Sequence, residues 1–304
     1  MARHNIENLR LPPDQYRVDK HTDDPSGCVR LETLVLARLE DKRRAQEAVA
    51  FLASGIGGRK LQRATKALLL YLRRAEIDHD RPLSAASRVD MRHWRIRVSG
   101  ALWQQVTELG TDKWVFFTVI LPKWWVASSK LKHVKARRLK ALLRTALYRA
   151  GARDASGWLY AMIHGEFDGT TEGFPLHFHG IATEGMIKVL KRLRLQPQFR
   201  RSKDDASKYP HIAISRKLKI DRPWGYLPDV LTYLHKSYWP QQNSMVAEDG
   251  TRRRFGPKHR ITGIHLVRYL TWLHSQPIKD QVLLVHLSVI DGALVPAERG
   301  DAHG

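Results

Sequence analysis

The segment 163–179 constrains this chain more than any other. Ile163-His164-Gly165-Glu166 ends an apolar run, and the turn Asp168-Gly169-Thr170-Thr171-Glu172-Gly173 joins it to Leu176-His177-Phe178-His179. Successive strand side chains point to opposite faces, so His177 and His179 share one face and Phe178 takes the other. Antiparallel pairing around the glycine turn is expected to bring the Glu166 carboxylate beside the two imidazoles. Two nitrogens and a carboxylate would then face one ion. An isolated His-x-His also occurs on exposed polar strands, so its surroundings decide its meaning. With Cys28 the only cysteine, a Cys-rich zinc site cannot be built, and an open N/O site suits Mg²⁺ or Mn²⁺.

The charge narrows the partner. Across 304 residues, 52 Lys plus Arg stand against 30 Asp plus Glu, a net +22 that points to a polyanion, with nucleic acid first. An apolar content of 43% supports a real core. No run approaches the length of a membrane span, and Met1-Ala2-Arg3-His4-Asn5 lacks the apolar core of a signal peptide, so a cytoplasmic protein with no membrane partner is expected. The lone cysteine fits a reducing compartment.

Along the chain, residues 31–54 and 59–74 read as helices, the second amphipathic and basic. Residues 82–110 are less periodic, and a boundary falls near 108. Trp114 to Leu121 reads as a buried strand stopped by Pro122, and Lys130 to Ala150 as a basic helix. Trp158–Phe167 and Leu176–Thr183 form the hairpin. A helix at Gly185–Leu195, a strand at His211–Ile220 and a helix at Leu227–Trp239 follow. The order β-α-β-β-α-β plus a helix predicts an α+β fold: a split βαβ antiparallel core with a C-terminal Tyr-bearing helix, flanked by a helical N-terminal region. Three segments are expected: a basic helical region 1–108, a core 109–242, and an accessory region 243–304. The last holds a Gln-Gln-Asn-Ser loop, the Arg252-Arg253-Arg254 run, a helix near 264–274 and a loose tail from Glu298.

The core's last helix carries Tyr233-Leu234-His235-Lys236. Residues three apart share a helical face, so the Tyr233 phenol and Lys236 ammonium converge. A tyrosine beside a cation makes a nucleophile because the positive charge favours phenolate. Alone, each residue is ordinary: such a tyrosine packs half-buried and such a lysine is solvated.

Together these residues resemble the HUH endonuclease superfamily, in particular the rolling-circle replication initiators of plasmids and phages. Phe116-Phe117-Thr118-Val119 looks like the family's first motif, Glu166 with His177-Phe178-His179 like its metal motif, and Tyr233-Leu234-His235-Lys236 like its Tyr-x-x-Lys motif. The resemblance covers about residues 112–240. In related conjugative relaxases the tyrosine precedes the histidines, whereas here it comes last. The resemblance implies site-specific nicking and strand transfer on single-stranded DNA at a replication origin. Mg²⁺ or Mn²⁺ would sit on His177, His179 and Glu166, with Tyr233 the nucleophile and Lys236 stabilising charge. His164, on the face of Glu166, is a further ligand or a support. Lys135, Arg138, Arg144, Lys188 and Arg192 would follow the DNA backbone. Host helicase and polymerase are implied partners. Some phage-type initiators carry a second tyrosine directly after the lysine; this chain has Ser237 there and Tyr238 one place on. The second cut is therefore expected from another protomer, in a transient homodimer, or from a water-mediated step.

Three other readings share parts of this pattern. A transposase of the same superfamily carries the same motifs, and a non-catalytic DNA-binding protein shares the charge and element order. His177-x-His179 with Glu184 also resembles the first cupin motif, but the matching glycine and second motif are absent and basic helices interrupt the strands.

Overall fold

A computed structural model describes residues 5–20, 31–74, 82–110, 113–199, 212–215, 227–236, 238–248 and 252–297. Ser237, most of the strand expected at His211–Ile220, and the tail from Glu298 lie outside the described residues. The fold is mixed α+β, with helices around a mostly antiparallel sheet.

Helices α1 (Leu34–Ala53) and α2 (Arg59–Arg74) match the sequence expectation. The aperiodic stretch before Gly110 is also a helix, α3 (Arg88–Leu109), capped by the Ser87 hydroxyl, which accepts from the Asp90 amide. Its lack of period has a packing cause. Trp94, Ile96, Val98 and Leu102 are all buried, and so is Arg95, which pairs with Glu32; a helix surrounded by protein needs no polar face.

Strand β1 (Trp114–Ala127) runs past Pro122 instead of stopping there. Its Trp114–Ile120 half pairs with Thr183–His177, and Trp125–Ala127 resume opposite Pro175–Gly173 after an irregularity that absorbs the proline. Next come α4 (Ala136–Arg149), preceded by a 3-10 turn where the sequence predicted helix, then β2 (Leu159–His164), β3 (Phe167–Asp168), β4 (Gly173–Thr183) and α5 (Glu184–Leu193). Strand β5 (Ile212–Ser215) closes one edge, so the central strands lie in the order β5-β1-β4-β2, antiparallel throughout. Gly180 lets these strands close up, since a Cβ there would fall 2.2 Å from the Tyr160 carbonyl oxygen and 2.6 Å from the Phe117 ring.

Helix α6 (Leu227–Tyr233) ends earlier than the predicted Trp239. Beyond it the expected loop is a ribbon: β6 (Gln241–Val246) pairs with β7 (Arg252–His259) and lies parallel to β3. Helices α7 (Gly263–His274) and α8 (Ile278–Gln281) lead into β8 (Val282–Val285), which pairs with β2 and extends the sheet. Strands β9 (Leu287–Ile290) and β10 (Ala293–Pro296) form a separate hairpin. One apolar core runs through all three segments, from Trp94 and Leu102 through Phe178 and Leu190 to Trp272 and Leu283. Among the described residues no helix is long and apolar enough to cross a membrane.

Candidate active site

Register places the histidines. His177 and His179 project from one face of β4, with His164 directly across from His177 on β2 and Thr118 across from His179 on β1. The His177 and His179 Nε2 atoms stand 3.0 Å apart, and the His164 ring centroid is 4.8 Å from that of His179. His164 and His177 are buried, and His179 is partly buried beside the Tyr233 ring.

Their outer nitrogens are engaged, which sets the tautomers. His177 Nδ1–H donates to the Pro175 carbonyl at 3.0 Å, leaving Nε2 with a lone pair. His179 Nδ1 lies 2.7 Å from the Thr118 hydroxyl. In the neutral pair, Thr118 donates to His179 Nδ1 and His179 Nε2–H donates to His177 Nε2. A hydroxyl both donates and accepts, so Thr118 equally supports the other tautomer, in which both Nε2 lone pairs are available to one cation. His164 Nε2–H donates to the Leu234 carbonyl at 2.5 Å, tying the sheet to the residue after Tyr233.

Burial keeps these rings neutral. It lowers His164 from 6.5 to about 3, helped by nearby His177, lowers His177 to about 4, and puts His179 well below its ordinary value. The sign for stability follows. Once unfolded, each ring takes up a proton below about pH 6.5 that the folded state refuses, so stability present above 6.5 is lost as pH falls toward 4. From the His164 and His177 shifts, moving from pH 7 to pH 5 should cost about 2 kcal/mol per ring. Urea unfolding at the two pH values checks this: His179 and buried His235 are held neutral as well, so His177→Asn should remove one ring's share of the combined loss, about 2 kcal/mol, and an unchanged midpoint would contradict it.

The tyrosine is held from three sides. The Arg95 guanidinium reaches the Thr232 carbonyl. His235 is fully buried, with Nδ1 3.0 Å from the Ser99 hydroxyl, Nε2 2.8 Å from the Tyr160 hydroxyl, and Trp94 edge-on to its ring. His164 holds the next carbonyl, as above. Helix α3 and the sheet thereby clamp residues 232–235 and set the Tyr233 ring 5.7 Å from that of His179. Tyr233 remains 44% exposed, open to a bulky substrate. Lys236 lies beyond the helix rather than on its face, yet its Nζ sits 4.0 Å from the Tyr233 ring centroid. Tyr238 is outside this constellation, stacked under the Arg88 guanidinium.

Glu166 departs from its expected place. The β2 ladder stops at His164, and Gly165 packs so tightly under Trp239 that a Cβ would lie 2.6 Å from the indole. The alternation that would have returned Glu166 to the histidine face is broken there. Its carboxylate instead forms ion pairs with Arg254 and Lys258 of the ribbon. Among the described residues no group of three His, Cys, Asp or Glu side chains that could hold a metal ion is formed. The two Nε2 atoms do have the separation of adjacent positions on one octahedral ion with bonds of about 2.1 Å. His164 stands across the ladder from His177, and the Glu166 carboxylate is held by the ribbon cations.

Of the expected DNA contacts, Lys135 and Arg138 are exposed at the start of α4, and Lys188 and Arg192 on α5, with the Arg192 guanidinium over Gly151. Arg144 is half-buried. The cations that reach the site residues are others: Lys236 at Tyr233, and Arg254 and Lys258 at Glu166. Thr118, His235 and the ribbon were not assigned roles from sequence. Cross-strand pairing of the Phe-Phe-Thr-Val segment with His-Phe-His would have found Thr118. Comparison with family models, curated proteins and solved structures gives no match in any of the three.

Proposed function

We propose that this chain nicks single-stranded DNA at a specific site and transfers the strand through a 5′-phosphotyrosine, as a rolling-circle replication initiator does. The observation that carries the reading is the convergence of an exposed Tyr233, its Lys236 partner and the facing imidazoles of His177 and His179. Plain binding requires none of these together. The strand order β5-β1-β4-β2 supports describing the core as a split βαβ sheet, and the +22 charge supports a polyanionic substrate.

In this mechanism the Tyr233 oxygen attacks the scissile phosphorus in line. A Tyr–O–P bond forms as the phenol gives up its proton, the bond from phosphorus to the 3′ oxygen breaks, and that oxygen takes up a proton and leaves as a 3′-hydroxyl. The link conserves the phosphodiester, so the same site can rejoin ends. Lys236 offsets charge on the transferring phosphoryl group. His177 and His179 would hold Mg²⁺ or Mn²⁺, with Glu166 or His164 as third donor, and the ion would polarise the phosphate. The burial that keeps the imidazoles neutral at pH 7 leaves lone pairs for that purpose. Incubation with Mg²⁺ or Mn²⁺ and single-stranded DNA spanning the cognate site should yield an adduct that survives denaturation and is lost in EDTA. Undiminished nicking in EDTA would remove the metal from the account.

A further inference from the structure

The β6–β7 ribbon is built as a surface, and its two faces differ. Ser244 and Arg254 are cross-strand partners on the inner face. There the Ser244 hydroxyl donates to Asp168 at 2.6 Å, and Arg254 pairs with Glu166. The Thr170 hydroxyl donates to the Ser244 carbonyl at 2.8 Å and accepts from the Ser244 amide at 3.1 Å. These bonds fix the ribbon to the Asp168-Gly169-Thr170 turn, two residues beyond Glu166. Gly169 permits the approach, since a Cβ there would meet the Asn243 side chain at 2.4 Å.

Alternation sends the other set outward. Met245 with Arg253, and Asn243 with Phe255, are cross-strand pairs on the outer face, and all four are exposed, Phe255 to 46% and Met245 to 51%. Pro257, Lys258 and His259 continue the exposed strand. A phenyl ring and a thioether held in water beside arginines contribute nothing to the core. Exposed aromatic rings beside cations suit unpaired bases, which stack on the rings while the cations follow the phosphates.

We infer that the outer face of this ribbon, centred on Phe255 and Arg253, is a binding platform for single-stranded DNA flanking the cleavage site. The inference rests on the proposed function for its substrate, and on two observations for its place. The ribbon is continuous with the histidine hairpin through β3, and the chain enters it directly from Tyr233 by way of buried Trp239. The ribbon thus follows Tyr233 closely in the chain and borders the histidine hairpin in the sheet.

The test is fluorescence-anisotropy titration of the full chain, in EDTA so that no cleavage intervenes, against a labelled single strand and its duplex over a salt series. Phe255→Ala should weaken single-strand binding roughly five- to hundred-fold, the range for losing one stacked base, with the salt slope unchanged. Phe255→Trp should restore it. Arg253→Ala should lower the slope by about 0.7. Both sites are exposed, so unchanged circular dichroism and melting temperature accompany the expected result. Wild-type affinity for Phe255→Ala overturns the platform, and so does an equal loss on duplex, which would place the ribbon in a groove. Failure of the two readings is separable: an inactive protein with a Phe255-dependent single-strand affinity sinks the nuclease and keeps the platform, whereas an active nuclease indifferent to Phe255 does the reverse.

Discussion

Tyr233→Phe should form no covalent adduct with single-stranded DNA, a loss of at least about a thousandfold in nicking, because a missing nucleophile has no substitute within the constellation. The phenyl ring preserves the contacts to His179 and Lys236, so binding and melting temperature should stay close to wild type. Tyr238 is the internal control. It stacks under Arg88, outside the histidine constellation, and Tyr238→Phe should nick at the wild-type rate. An adduct of normal yield from Tyr233→Phe would move the nucleophile elsewhere and undo the assignment.

Removing an imidazole should be nearly as severe. His177→Ala deletes one of two nitrogens 3.0 Å apart, and cleavage should fall by about a hundredfold or more through lost polarisation of the phosphate. Salt-dependent binding, which Lys and Arg carry, should persist. Thr118→Val is the finer probe. It keeps the shape and removes the hydroxyl on which His179 depends for either tautomer, so nicking should need more Mn²⁺ to reach the same rate, within the ten- to hundredfold range of lost metal-ligand support. If His177→Ala nicks normally, the histidine pair is structural and the reaction uses another centre.

The parts of this arrangement that were legible in the sequence rest on short-range periodicity. The two-residue alternation at His177-Phe178-His179 and the apolar spacing of α2 are local facts that packing then respects. What was illegible depends on partners far along the chain. Helix α3 hides its amphipathicity because Arg95 is neutralised by Glu32, 63 residues away, and most of the rest of its surface is at least partly covered. Pro122 stops a ladder only if each residue must bond, and the irregularity after Ile120 removes that need. Glu166 shared a face with His164 only on an unbroken strand, and Trp239, 74 residues beyond Gly165, breaks it. The ribbon shows no apolar alternation, because its inner face bonds through Ser244 and Arg254 and its outer face mixes Arg with Phe. His235 sat inside the tyrosine motif without a role, since only the fold reveals Ser99 and Tyr160 on its two nitrogens.

The central claim is that Tyr233 is the residue that takes the DNA strand. Mass spectrometry of the proteolysed adduct, formed with Mn²⁺ on a single strand spanning the cleavage site, tests it directly. The account predicts a 5′-phosphonucleotide on Tyr233 and a free 3′-hydroxyl on the released fragment. A nucleotide on Tyr238 or on any other residue, or nicked DNA with no protein attached, would contradict it.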